Sequence, residues 1–496
     1  MPSARTPANT SACTPSGPST SPGASERQRP PRRAPAAWVI VAIALPTLMT
    51  SLDSLVVTIA LPVIHRDLGA SVTELQWFVN AYTLTYAALI LPTAALGDRL
   101  GRNRLFVWAI ALFTLASALA ALATSPGALI AARTAQGASG AAIGSLSLAL
   151  LADSVPRRLR ELAIGVWGSV NGLGVAAGPI VGGAVVQDLH WSFIFWINIP
   201  VGVLSLALVG WSLGVKASGR PGAGADLPGL AAGAGFVFPL TWALVEGGSR
   251  GWTSAPILGC LVLAAVSLLC FIRRERRARS AYVPMRLFAS RRFNLVNTVA
   301  ALFSAGIFGS VFLVSQYLQI GMGFGPLESG LRAAPWTMVP MAVAPLAGLL
   351  VRRRGPRAVL LTGMVLQTAA VGCFTLLAGR DHSGGAYSAY VLPMLIAGAG
   401  MGLTFSPLAT AVLVGVPSSD RAVVSGINQT ARQLGTATGI ALCTAIFTAF
   451  GTYAPGSSFT AGLVPALAVC VLLLTASTGL VVAMPRDDMT ERGAAC

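Results

Sequence analysis

Three charged residues lie inside long apolar stretches of this chain: Asp53, Arg133 and Arg432. If its stretch is helical, Asp53 lies about 14 Å from the end of that helix at Pro62. A carboxylate at such a depth is costly unless it is paired, hydrated or protonated, so it is a candidate functional group by default. Burial disfavours the charged form of an acid, which suits a group that takes up and releases protons. The alternative is a structural hydrogen-bond acceptor between helices.

The two embedded arginines have two interpretations each. Either could contact a substrate or influence the protonation of a nearby acid such as Asp53. The alternative is a structural ion pair or a clamp on backbone carbonyl groups.

The composition indicates a membrane protein. Of the 496 residues, 54% are hydrophobic and only 10% are charged, whereas a soluble domain carries about 25% charged residues. The formal charge is +17, but basic residues in so apolar a chain mark membrane orientation rather than a nucleic-acid partner. The only lysine, Lys216, lies outside any phosphate-binding motif, so we expect no ATP hydrolysis through such a loop. No catalytic or metal-binding motif is present, and we expect no enzyme activity and no cofactor.

Fourteen apolar stretches have about the 20-residue length that a bilayer requires. Their approximate limits are 37–61, 75–97, 105–123, 127–151, 162–186, 192–214, 227–245, 254–272, 294–319, 331–351, 358–378, 387–414, 422–450 and 462–484. Of the 34 basic residues, 28 fall on alternate connections that begin with the N-terminal tail. Since positive charge stays in the cytoplasm, this alternation predicts a multi-pass protein of the cell membrane with both termini inside.

Two internal matches predict a repeat. Residues 160–178 resemble 421–439 at an offset of 261, and residues 96–101 resemble 350–355 at an offset of 254. The predicted fold is an all-α membrane protein of 14 transmembrane helices, in which two six-helix halves flank two inserted helices. The predicted segments are a disordered cytoplasmic tail (1–36), the first half (37–214), the inserted pair (215–272), a basic cytoplasmic loop (273–293), the second half (294–484) and a cytoplasmic C-terminal tail (485–496).

Three further groups of residues are candidates for transport. The loop after the second stretch carries a cluster whose arginines could anchor to lipid phosphates or pair across the halves, and which is more specific than simple anchoring requires: Gly97, Asp98, Arg99, Gly101 and Arg102. The fifth stretch has small residues at helical spacing, typical of a smooth packing or sliding face with a proline that can bend it: Gly174, Gly178, Pro179, Gly182 and Gly183. Aromatic residues that could line a substrate pocket, or belong to interface or core, are Tyr82, Tyr86, Trp167, Tyr317 and Trp336.

These motifs resemble the major facilitator superfamily, and within it the fourteen-helix drug:proton antiporters. The matching segments are 52–62, 97–102, 129–137, 174–183 and 191–202. The resemblance implies proton coupling and translocation by Asp53 and Arg133, gating by the loop, and an inward–outward switch at the glycines of the fifth helix. Leu55 and Thr58 replace polar residues that the family favours, so we expect Asp53 to lack a polar neighbour.

The predicted function is proton-driven efflux of hydrophobic drugs or antibiotics by a monomer in the lipid bilayer, which confers resistance. No acid other than Asp53 is predicted deep in the membrane, which favours neutral, anionic or monocationic substrates. Two alternatives stay open: a dedicated exporter of one self-made antibiotic or metabolite, and a membrane sensor or interaction protein that transports nothing.

Overall fold

The apolar stretches form helices, because a backbone at bilayer depth must satisfy its own hydrogen bonds. The computed structural model describes residues 35–213, 227–277, 283–380, 386–414, 416–417, 420–452 and 457–484, and these contain no strand. The predicted tails at 1–36 and 485–496 lie almost wholly outside the described residues, as do residues 278–282 of the predicted basic loop. The long helices, which we number α1 to α14, are Ala36–Leu68, Val72–Leu100, Arg102–Ala121, Pro126–Ser154, Arg160–Asp188, Phe193–Ser212, Leu227–Arg250, Ala255–Arg277, Arg291–Gly321, Ala334–Val351, Pro356–Arg380, Ser388–Leu413, Arg421–Phe450 and Ser457–Val482.

Twelve of the helices in the described ranges are long and apolar enough to cross a membrane. The two that fall outside that set are α5 and α7, with 29 and 24 residues. The all-helical membrane fold is therefore confirmed, whereas the predicted count of fourteen crossings stays a prediction.

Helix boundaries follow local sequence signals. Ser71 caps α2 in a reciprocal box with Glu74, and the side chain of Ser125 accepts a hydrogen bond from the first turn of α4. Gly101 and Gly355, which are equivalent at the offset of 254, have φ angles of 96° and 79°. Glycine is the residue that adopts such angles without strain, so the two matching loops turn by the same backbone device.

The helix pairs of the two halves correspond. In the first half α1 packs on α5, α2 on α4 and α3 on α6, and in the second half α9 packs on α13, α10 on α12 and α11 on α14. The halves meet where α5 packs on α10 and α2 packs on α13. The inserted helices α7 and α8 form a hairpin, and α7 contacts both α2 and α13.

Candidate functional site

A buried ion pair joins α1 to α4. Arg133 Nη1 lies 2.5 Å from Asp53 Oδ2, and both side chains are at most 1% exposed. Each charge neutralises the other inside the helix bundle, which is the arrangement that makes embedded charges tolerable.

Two amide side chains complete the surroundings of Asp53. Its Oδ1 accepts hydrogen bonds from Asn198 Nδ2 at 2.8 Å and from Gln136 Nε2 at 3.1 Å. Both amides also bond the hydroxyl of Ser117, at 3.3 and 2.8 Å. The expectation that Asp53 lacks polar neighbours was therefore wrong, since α3, α4 and α6 supply them rather than α1.

Sequence reasoning missed Gln136, Asn198 and Ser117 as site residues. Gln136 follows Arg133 by three positions, which puts both on one helix face, and Asn198 lies within an otherwise apolar helix. Both signals were available. Ser117 has no comparable signal, because its side chain also bonds the carbonyl of its own helix at Phe113, as any membrane serine can.

The remaining contacts of Arg133 lie on α2. Its Nε donates to the carbonyl of Phe78 at 3.0 Å, and its guanidinium carbon lies 4.5 Å from the centre of the Tyr82 ring. Tyr82 in turn donates to the carbonyl of Thr50 on α1 at 3.2 Å. Five helices of the first half thus meet at one hydrogen-bonded group, which we call the Asp53 network (Asp53, Ser117, Arg133, Gln136 and Asn198).

Arg432 lies elsewhere, at the junction of the halves. Its guanidinium carbon is 4.5 Å from the centre of the Phe405 ring on α12. One helical turn earlier on α13, Gln429 donates to the hydroxyl of Tyr86 on α2 at 3.3 Å. Tyr86 stacks on Tyr82 with ring centres 5.9 Å apart, so a row of aromatic rings connects the surroundings of the two arginines.

The predicted gating loop lies in an ion network at the arginine-rich end of the bundle. Asp98 pairs with Arg102 at 2.6 Å, and Arg102 also pairs with Asp153 of α4 at 2.5 Å. Asp153 forms a further ion pair with Arg421, the first residue of α13, and so connects the first half to the second. Gly97 is buried against Leu146, Gly101 makes the turn, and Arg99 lies in the last turn of α2.

The glycines of α5 allow close helix contacts. A Cβ added to Gly174 would lie 2.6 Å from Ser51 Cβ on α1, and one added to Gly165 would lie 2.6 Å from the carbonyl oxygen of Ala344 on α10. Gly178 and Gly182 are buried and Gly183 is partly so, and α5 continues as one helix through Pro179. At the arginine-rich end, Gly348 of α10 packs against the backbone of Glu161. The halves are therefore closely packed there.

The five predicted pocket aromatics do not form one group. Tyr82 and Tyr86 lie together, and Trp167 donates to the hydroxyl of Ser147 at 3.2 Å. Tyr317 is fully buried in the second half, where it bonds the hydroxyl of Tyr390 at 3.0 Å, and Trp336 is also buried.

Besides Asp53, the described residues include three buried acids that the sequence analysis did not single out: Glu246, Glu275 and Asp420. Glu246 is 7% exposed and accepts hydrogen bonds from Asn80 of α2 and Arg250 of its own helix, both at 3.0 Å. It lies one residue beyond the predicted stretch 227–245, because α7 continues to Arg250. Beside it, α2, α7 and α8 border an apolar groove of about 620 Å³, lined among others by Trp77 and Trp242.

Comparisons with known proteins agree with this geometry. Residues 43–440 match the model of the Major Facilitator Superfamily. The chain is 33% identical to the tetracenomycin C resistance and export protein of Streptomyces glaucescens over 86% of this chain and 78% of that one. It is also 33% identical to the multidrug efflux pump LfrA of Mycolicibacterium smegmatis, over 89% of this chain and 86% of that one.

Among solved structures, the human organic anion transporter MFSD10 (TETRAN) superposes with a TM-score of 0.63 at 16% identity, covering 90% of this chain and 100% of that one. At that identity the likeness concerns the fold alone. The family model matches most of the chain, the helices of the two halves pack in corresponding pairs, and two relatives align over most of their length. This chain therefore belongs to the Major Facilitator Superfamily, a family of multi-pass membrane transporters rather than enzymes.

Proposed function

We propose that the protein is a proton-driven exporter of hydrophobic antimicrobials or antibiotics that confers resistance on the cell. The observation that carries this proposal is the Asp53 network, in which a buried carboxylate is held by one cation and two amides. The names of the two relatives, one an export protein for tetracenomycin C and the other a multidrug efflux pump, support the same function.

The proposed setting is the cytoplasmic membrane, crossed fourteen times by a monomer with both termini in the cytoplasm. The 28 basic residues on alternate connections support this orientation. The arginine-rich end of the bundle is then the cytoplasmic end, and the ion pair from Asp153 to Arg421 closes it. The proton gradient supplies the energy, with no cofactor and no ATP.

Proton binding to Asp53 would remove one charge of the buried pair. Arg133 would keep its hydrogen bonds to the Phe78 carbonyl and to Gln136, but the attraction between α1 and α4 would fall. Because α1 packs on α5, and α5 packs through Gly165 on α10, a shift of α1 is passed to the opposite half. Substrate release and proton uptake are thereby coupled in one cycle.

The test is Asp53→Asn in reconstituted vesicles with an imposed pH gradient and a fluorescent hydrophobic drug. We expect gradient-driven transport and substrate-induced proton movement to be lost, while drug binding to the purified protein persists. The matched control is Asp67→Asn. Asp67 lies on the same helix, but its side chain is 40% exposed and it lies 3.1 Å from His190 rather than in the Asp53 network. If the Asp53→Asn protein still moves protons with substrate, Asp53 is not the coupling acid.

A dedicated exporter of a single antibiotic is the second candidate, since one relative is named for a single compound. A panel of antibiotics tested in a drug-hypersensitive host, with and without a protonophore, separates the two. Resistance confined to one compound class would favour the dedicated exporter, and resistance across unrelated classes the multidrug pump.

A further inference from the structure

The two embedded arginines differ in how their charge is balanced. Arg133 has Asp53, whereas the Arg432 guanidinium forms no hydrogen bond or ion pair with any residue that the structure describes, and its Nε is a buried donor left without an acceptor. The guanidinium lies against the face of the Phe405 ring.

No acid of the surrounding helices can serve as the missing partner. Within their described ranges, α9, α12 and α13 contain no Asp or Glu. The acids of α2 and α4 lie at the helix ends, as Glu74, Asp98 and Asp153, and the last two already pair with arginines. Asp53 is engaged by Arg133 and both amides. The remaining acid is Glu246 of α7, which also packs on α13, and it is engaged by Asn80 and Arg250.

An unbalanced guanidinium at this depth is costly. Arg432 lies eleven residues into α13, or about 16 Å from the arginine-rich end by helical rise, which is deeper than the layer of lipid head groups. The cation–π contact to Phe405 compensates only part of the lost hydration. The remaining donors are therefore available to an anion that arrives from outside the protein.

The groups around Arg432 indicate the shape of such an anion. Two aromatic rings lie near the guanidinium: Phe405, which lies against it, and Tyr86, which contacts Gln429 one helical turn earlier on α13. Gln429 supplies a side-chain amide beside Tyr86. Flat aromatic molecules stack on such rings. A carboxylate can accept two parallel hydrogen bonds from a guanidinium, and the single oxygen of an ionised phenol can accept a charge-assisted hydrogen bond from it.

We propose that Arg432 is the anion-recognition residue of the transport site, and that the preferred substrates are flat aromatic compounds bearing one acidic group, a carboxylate or an ionised phenol or enol. This inference rests on the proposed export function and specifies its substrate class. Since Arg432 belongs to the second half and Tyr86 to the first, such a substrate contacts both halves at once.

The test compares an aromatic acid with its neutral ester, using anthracene-9-carboxylate and its methyl ester. Binding to the purified protein in detergent is measured by fluorescence without any gradient, and efflux is measured in vesicles with one. Arg432→Gln is expected to weaken binding of the acid at least tenfold and to leave binding of the ester within twofold. Arg432→Lys is expected to retain part of the preference, because it keeps the charge.

Arg380→Gln is the matched control, since it removes one positive charge from an exposed helix end. Equal weakening of acid and ester by Arg432→Gln would overturn the proposal, and so would wild-type protein that binds both equally. An anionic phospholipid that copurifies with the wild type but not with Arg432→Gln, and that the acid does not displace, would assign the site to a lipid phosphate and also overturn it. Because binding is measured without a gradient, the acid preference can hold even if efflux, and with it the proposed function, fails.

Discussion

The two six-helix halves share a pattern of helix pairing but place polar groups at different positions. The first half contains a closed network in which every charge has a partner, Asp53 with Arg133. The second half contains a cation without one, Arg432. In a membrane, a balanced pair can hold helices together, whereas an unbalanced cation is available to a mobile anionic ligand.

Equivalent positions make the contrast explicit. At the offset of 254, Asp53 corresponds to Ile307 and Ser117 to Val371. At the offset of 261, Arg133 corresponds to Met394 and Gln136 to Ala397. All four counterparts are buried and apolar. The second half therefore has ordinary core packing where the first half has its network.

The reverse holds at Arg432. Its counterpart at the offset of 261 is Asn171, which accepts a hydrogen bond from Ser51 at 2.6 Å. The counterpart of Ser51 at 254 is Ala305, which has no polar side chain. The two corresponding halves thus differ: the first contains a buried ion pair, and the second contains a guanidinium without an acceptor among the described residues.

The largest expected effect comes from removing Arg133, with the removal of Arg432 as its comparison. Arg133→Gln leaves the Asp53 carboxylate buried without a cation and is expected to destabilise the protein by about 3–5 kcal/mol. The double variant Asp53→Asn/Arg133→Gln should recover part of this loss. Arg432→Gln should leave the thermal midpoint in detergent unchanged or raised, and a loss as large as that of Arg133→Gln would remove the contrast between the halves.

The next largest loss of stability is expected when a hydrogen-bond donor to the Asp53 carboxylate is removed. Asn198→Ala removes a hydrogen bond to charged Asp53 and is expected to cost about 1.5–3 kcal/mol. The matched variant in the second half is Asn428→Ala, which breaks a bond of 3.1 Å to neutral Asn297 and should cost about 0.5–1.5 kcal/mol. Thermal unfolding of both proteins checks the order, and equal losses would mean that Asp53 is not charged in this state.

The contact of Arg432 with Phe405 is expected to matter less. Phe405→Leu keeps apolar volume but removes the ring face, and should cost about 0.5–2 kcal/mol. The same variant should weaken binding of both the aromatic acid and its ester, since both stack on the ring. Unchanged binding of both compounds would place the substrate away from Phe405.

The smallest expected effect on stability is at the arginine-rich end. Asp153→Asn removes ion pairs to Arg102 and Arg421, but these groups are partly exposed, so the loss should be at most about 1 kcal/mol. Opening of that end should nevertheless become easier, because only Arg421 lies in the other half. We expect backbone amides in the first turns of α5 and α13 to exchange hydrogen faster in the variant than in the wild type, and this difference to shrink at high salt. An unchanged exchange rate would show that packing alone closes this end.

Much of the site was predictable because rare residue types stand out in an apolar chain. Asp53, Arg133 and the Asp98–Arg102 cluster were all visible, and so were the loop glycines that turn with positive φ. Glu246 was missed because hydropathy marks the apolar stretch, which ends at 245, rather than the helix, which continues five residues further to Arg250. The split of the pocket aromatics could not be predicted, since nothing in a tyrosine itself distinguishes the core position of Tyr317 from the junction position of Tyr86.

By itself, the sequence determined that the chain lies in a lipid bilayer, where its helices lie and that its halves resemble each other. These properties depend on composition, on the length of the apolar stretches and on local turn residues. Only the tertiary structure decided which polar groups meet. A helix that is apolar on all sides carries no amphipathic pattern to indicate its inward face, so its rotation is set by packing against its neighbours. That rotation brings Asp53 to Arg133, 80 positions along the chain, and leaves Arg432 facing an aromatic ring instead of an acid.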